Sequence, residues 1–284
     1  YTRQTGGATD AYGTGAAAIF MRGADNVRLT NCVIHHCAQG ILSNNGGNNE
    51  AGLVRELRID RCHFHSQGSV VPGTYWGQNV RTQGVGIVIE YCRFDPPLSG
   101  TSVVNVEDRS AGFIARCNWI EGGGSQLDLA EPFSALALLT GDPAWSTAHV
   151  IGNVLRSFSS GAGTMVQFGG SEISGARTLH LHHNTFHAIN GYSRTVVNVR
   201  TAEETALVNN NAMRHQAITE FRLLGSSGNA TYGRNFISPN YTTPPSGVTG
   251  AVNILTGAAS PFADDANGNY LPTAASPLID AALA

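Results

Sequence analysis

Charged residues make up only 13% of this 284-residue chain, yet Arg81, Asn105, Glu107, Asp108, Arg109, Asp128 and Glu131 crowd into one stretch. Two reactions use such a set. β-Elimination from a uronate needs its carboxylate neutralised, a base for the C5 proton and an acid for the leaving oxygen. Arg81 or Arg109 could bind the carboxylate through two parallel hydrogen bonds. Glu107 and Asp128 could instead hold a Ca²⁺ that does the same. Glycoside hydrolysis needs two carboxylates flanking the scissile bond, and Glu107 and Asp128 are the pair for it. Against both stands the ordinary role of such residues, cross-strand ion pairing on a solvated sheet face.

The composition excludes other chemistries. All 17 basic residues are arginine, so no Schiff-base, phosphate-loop or general-base lysine exists. Phosphate-loop, dinucleotide and nucleophile-elbow motifs are absent as well. A net charge of -3 gives no reason to expect a nucleic-acid partner. No stretch reaches the ~20 apolar residues of a membrane span.

Placing these side chains together requires a repeat, and one runs through the chain. A small polar residue two places before an apolar one recurs in Cys32-Val-Ile34, Cys62-His-Phe64, Cys92-Arg-Phe94, Cys117-Asn-Trp119, Asn153-Val-Leu155, Asn184-Thr-Phe186 and Asn211-Ala-Met213. Alternating segments of strand type precede them, among them Ala18–Arg22, Gln78–Arg81, Val103–Glu107, Gln126–Leu129, Met165–Phe168 and Val196–Arg200. One unit is too small to bury its own apolar side, but stacked units can. The pattern predicts an all-β chain wound as a right-handed parallel β-helix of about seven to eight rungs. Residues 1–14 form a lead-in, 15–238 the rungs, and 239–284 a loop and C-terminal cap over the last rung. The Cys/Asn positions should form one ladder, with Cys32, Cys62, Cys92 and Cys117 as free thiols packed like small hydrophobes.

In such a coil, alternate residues of the first strand face outward in columns. One column is expected to read Phe20, Leu42, Asn79, Asn105, Asp128, Gln167, Asn198, and its neighbour Arg22, Asn44, Arg81, Glu107, Ala130, Gly169, Arg200. Arg109, Arg81, Glu107 and Asp128 are the catalytic candidates. Asn79, Asn105, Glu131, Gln167 and Arg200 are expected to bind substrate, with Tyr75 and Trp76 as an aromatic wall for a sugar ring.

The ladder, the Gly40-Ile41 start and the Ser276-Pro-Leu-Ile-Asp-Ala281 ending resemble secreted bacterial β-helix proteins of the pectate-lyase-like superfamily. Ser102–Ala111, Arg116–Trp119, Gln126–Glu131 and Val150–Asn153 are similar in layout to alginate-lyase-type polysaccharide lyases. The resemblance implies an exported, extracellular or periplasmic protein acting on an anionic polysaccharide. It departs at the catalytic pair: Glu107 or Asp108 stands at the lysine position, and Ala130 or Glu131 at the arginine. An arginine base, as in pectate lyases, would have to replace the lysine. A non-catalytic glycan-binding or adhesive β-helix is the alternative, and a hydrolase the third.

No cofactor is required by these residues, with calcium the one that Glu107 and Asp128 could accept. A second metal candidate is His35, His65 and Asp95, each three places after a ladder residue, although a plain surface ladder is the simpler account of them. His180, His182, His183 and His187 form a further cluster without a carboxylate. Asp264–Asn269 has spaced oxygens but lacks the distal Glu of a calcium loop.

Overall fold

The computed structural model describes residues 16–43, 49–68, 77–98, 104–133, 136–158, 163–170, 176–225, 228–242, 247–250, 255–256, 259–276 and 278. The chain is a parallel β-solenoid of about seven turns. Each turn contributes one strand to each of three parallel sheets. Sheet 1 runs Ala17–Met21, Gln39–Ser43, Val80–Thr82, Val104–Asp108, Ser125–Leu129, Gly163–Phe168, Arg194–Val199, Phe221–Leu224. Sheet 2 runs from Arg28–Thr30 to Val248–Thr249, and sheet 3 from Val33–His35 to Leu255–Thr256.

The interior is built by stacking like on like. Ile41, Val80, Val106, Leu127, Val166 and Val197 pair in register along sheet 1, and none is more than 1% exposed. In sheet 3 Phe64 lies on Phe94 with ring centres 4.8 Å apart. Each such side chain contributes roughly 1.5–3 kcal/mol by leaving water.

The corner between sheets 2 and 3 takes only two residues. The first is left-handed in every turn: Asn31, Arg61, Tyr91, Cys117, Gly152, His183, Asn210 and Arg234 all have φ between 44° and 67°. The second is the ladder residue. Its side chain accepts from the backbone N–H one rung before, as Asn118 does from Cys92, Asn153 from Asn118 and Asn184 from Asn153, each at 2.9 Å. The ladder therefore reads Cys32, Cys62, Cys92, Asn118, Asn153, Asn184, Asn211, Asn235. Cys117 is not in it. The expectation is off by one residue there, because two small polar residues adjoin and only the left-handed φ of Cys117 separates them. All five cysteines are free thiols; Cys37, Cys62 and Cys92 are buried, Cys32 is half-buried and Cys117 is exposed. Cys92 Sγ takes the acceptor's place, 3.3 Å from the Cys62 N–H.

A hairpin of the tail, Phe262–Asp264 with Asn269–Pro272, rests on the outer flank of sheet 3. Tyr270 meets His187 Nδ1 at 2.6 Å and packs on Trp119, while Asp265 pairs with Arg214 at 2.9 Å. No helix among the described residues is long and apolar enough to cross a membrane.

Candidate functional site on the outer face of sheet 1

Strand register decides which side chains meet. Phe20, Leu42, Arg81, Glu107, Asp128, Gln167 and Asn198 are successive partners in one outward column. Arg81 and Glu107 thus stand two places from where alternation put them, and Glu107 lies directly opposite Asp128 instead of diagonal to it. Sliding a strand by two residues keeps every side chain on its face, so polarity alone cannot detect the slip. Arg109 then joins the neighbouring column with Ala130, Gly169 and Arg200, continuing the ladder Arg109 N–H to Thr82, Ala130 N–H to Asp108, Gly169 N–H to Leu129 and Arg200 N–H to Phe168.

Asn79 and Asn105, expected to line the face, are instead fully buried at the corner between sheets 3 and 1. Asn79 donates to Asn105 Oδ1 at 2.8 Å and to Asp95 O at 2.9 Å, and Asn105 donates to Glu121 O at 2.9 Å. They satisfy turn carbonyls and contribute nothing to the face. Gln78, which the alternation did not single out, turns outward and donates to Glu107 Oε2 at 3.1 Å.

The remaining candidates come together. Glu107 accepts from Arg109 Nε at 2.6 Å and stands 3.4 Å from Arg81 Nε. Arg109 also donates to the Glu131 carbonyl. Asp128 faces Arg200 at 2.9 Å, and Arg200 further donates to Gln167 Oε1 and Gly169 O, each at 2.8 Å. Gln167 donates to Ser125 Oγ at 3.0 Å. Burial pushes the Asp128 carboxyl above its ordinary range, with Arg200 opposing. Burial likewise holds the Arg81 guanidinium below its ordinary range, with Glu107 opposing and Arg109 adding to the fall.

One aromatic, invisible to the pattern, completes the face. Phe133 is 66% exposed, and its backbone N–H is fixed by Gln83 Oε1 at 2.7 Å. Arg109 and Arg81 set their guanidinium carbons 3.4 Å and 4.5 Å from its ring centre. Such cation–π contacts hold both planes in place. Tyr75 and Trp76 lie outside the described residues.

Behind this face is a buried charged corner. Asp108 points inward, accepting from Thr82 Oγ1 at 2.8 Å and from Ser110 Oγ and N at 2.7 and 2.9 Å. Arg177 stacks on Trp145, 3.7 Å from its ring centre, and shares the corner's charge with Glu204, Asp108 and Glu131. Gly169 (φ 88°) makes room for this, since a Cβ there would stand 1.5 Å from Glu204 Oε2.

Burial pushes the Asp108 carboxyl up to about 6. The fold therefore holds the proton more tightly than the unfolded chain, whose carboxyl titrates near ~3.9. Its stability contribution is present below about pH 4 and is lost as pH rises through about 6. D108N, which keeps the hydroxyl and N–H partners, should show a stability advantage over the parent that grows from pH 4 to 6 and then levels off. A plateau of about 2–3 kcal/mol is expected in urea titrations.

The metal expectations fare differently from the arginine face. Glu107 and Asp128 both turn their oxygens to arginine nitrogens, an arrangement opposed to a calcium cage. His35 and His65 do stack, with ring centres 4.8 Å apart, but Asp95 turns away to His63 Nε2 at 2.8 Å and Arg93 Nε at 2.8 Å. Among the described residues no three His, Cys, Asp or Glu side chains converge on one point. Comparison with family models, with curated proteins and with solved structures finds no match for this chain.

Proposed function

We propose that this protein binds an anionic, uronate-containing polysaccharide along the outer face of sheet 1 and cleaves it by β-elimination. The observation that carries the reading is the set of Arg81, Arg109 and Arg200 on the third, fourth and seventh rungs, fixed by Glu107, Asp128 and Phe133. Rungs repeat every ~4.8 Å, so a chain of sugars laid across them meets two adjacent cations and then a third further along. The exposed Phe133 offers a sugar ring an apolar platform.

In this reading Arg109 pairs with the uronate carboxylate and stabilises the charge that develops beside it. Arg81, in the neutral guanidine form that burial favours, takes the C5 proton and becomes a guanidinium beside Glu107. The electron pair left on C5 forms the C4=C5 double bond as the C4–O bond breaks. Asp128, whose carboxyl burial raises above its ordinary range, gives a proton to the leaving oxygen, and the carboxylate so formed pairs with Arg200. Export from the cell goes with such a substrate.

Unsaturated uronate products absorb in the ultraviolet, through the C4=C5 bond conjugated to the carboxylate. Incubation with polygalacturonate, alginate and glucuronan should raise that absorbance on one of them. New reducing ends without absorbance would replace the lyase by a hydrolase. Retained binding with no product from any of them would favour the non-catalytic reading. One observation already speaks for the latter: Glu107 and Asp128 are each ion-paired, as ordinary cross-strand neighbours are.

A further inference from the structure

Sheet 2 carries histidines on its solvent face, remote from the arginine row. The strand Thr178–His182 presents His180 and His182 on one side, as residues two apart in a strand must be. His149, which the sequence pattern did not single out, is the register partner of His180 one rung earlier. All three are half-buried.

His180 Nδ1 and His182 Nε2 stand 3.4 Å apart, with ring centres 5.5 Å apart and planes 22° from parallel. The short nitrogen separation relative to the ring centres means that both nitrogens point into the gap between the rings. At 3.4 Å the pair is longer than a good N–H···N bond, which lies near ~3.0 Å. Two nitrogens bound to one tetrahedral zinc at ~2.0–2.1 Å stand ~3.4 Å apart, and this is the separation observed. From this geometry we infer that His180 and His182 form a two-nitrogen chelate for a divalent transition ion of the zinc class, the remaining positions being filled by water.

The His149 ring lies parallel to His180, centres 4.6 Å apart and planes 17° from parallel. His149 therefore flanks the chelate on one side, and among the described residues no third His, Cys, Asp or Glu converges with His180 and His182.

The test is calorimetric titration of the full chain with ZnCl₂. One zinc site per chain should be lost, or weakened about tenfold or more, in H180A and in H182A. The double variant H63A/H65A on sheet 3 should keep that site. These side chains are on a solvated face, so the circular dichroism of the parent should persist. Should an alanine variant fail to fold, H180N and H182N serve instead, since the next rung carries Asn209 opposite His182. Zinc binding unchanged in the His180 and His182 variants, or absent from the parent, would overturn the inference.

Discussion

Under the proposed β-elimination, R109K is expected to remain folded and to lose about 10²-fold or more of the parent's kcat/KM on a uronate polymer. Lysine keeps the positive charge beside Glu107, so no buried carboxylate is left unpaired. It loses the planar fork that donates to Glu107 and the Glu131 carbonyl while lying 3.4 Å over Phe133. An ammonium is a point charge on a flexible stem and reproduces neither the fork nor the stacking. Removing one oriented donor from a site where charge develops costs roughly 10²–10³ in rate. R109A is the poorer experiment, because it also takes the nearer arginine from Glu107, 5% exposed, leaving that carboxylate Arg81 at 3.4 Å and Gln78, and so lowers stability as well as activity. Steady-state kinetics with a melting curve separates the two effects. Full activity in R109K would remove Arg109 from the site.

The second large effect is on the coil itself. Asn184 Oδ1 accepts from the Asn153 backbone N–H at 2.9 Å and from Asn153 Nδ2 at 3.1 Å. Its Nδ2 donates to Val150 O at 2.8 Å and to Asn211 Oδ1 at 3.0 Å. N184A leaves a buried N–H and a buried carbonyl without partners, each costing about 1–3 kcal/mol, so a loss of about 3–5 kcal/mol is expected. N184C should lose less, because this chain itself seats cysteine at the equivalent corner, where Cys92 Sγ takes the N–H of Cys62. Denaturant titrations of both variants measure the difference. Equal losses would mean that side-chain volume, and not hydrogen bonding, holds the corner.

Both predictions rest on features of unequal legibility. The winding was readable because the two-residue corner demands a small polar side chain once per turn, and because a strand must alternate to have one face inside. Those are local requirements repeated along the chain, so Cys32, Cys62, Cys92, Asn153, Asn184 and Asn211 announce themselves by spacing. The gathering of Glu107, Asp128, Arg109, Gln167 and Arg200 followed from the same arithmetic.

Other assignments depended on contacts that no local pattern encodes. A strand slipped by two residues looks identical in polarity, so only backbone pairing set Arg81 and Glu107 in the column of Asp128 and buried Asn79 and Asn105 at the corner. Cys117 and Asn118 are equally suited to the ladder, and the left-handed backbone at Cys117 chose between them. Phe133, Gln78, Arg177 and His149 sit in turns or strands without a repeating signature. Their roles arise where distant rungs touch, and tertiary structure alone creates those neighbours.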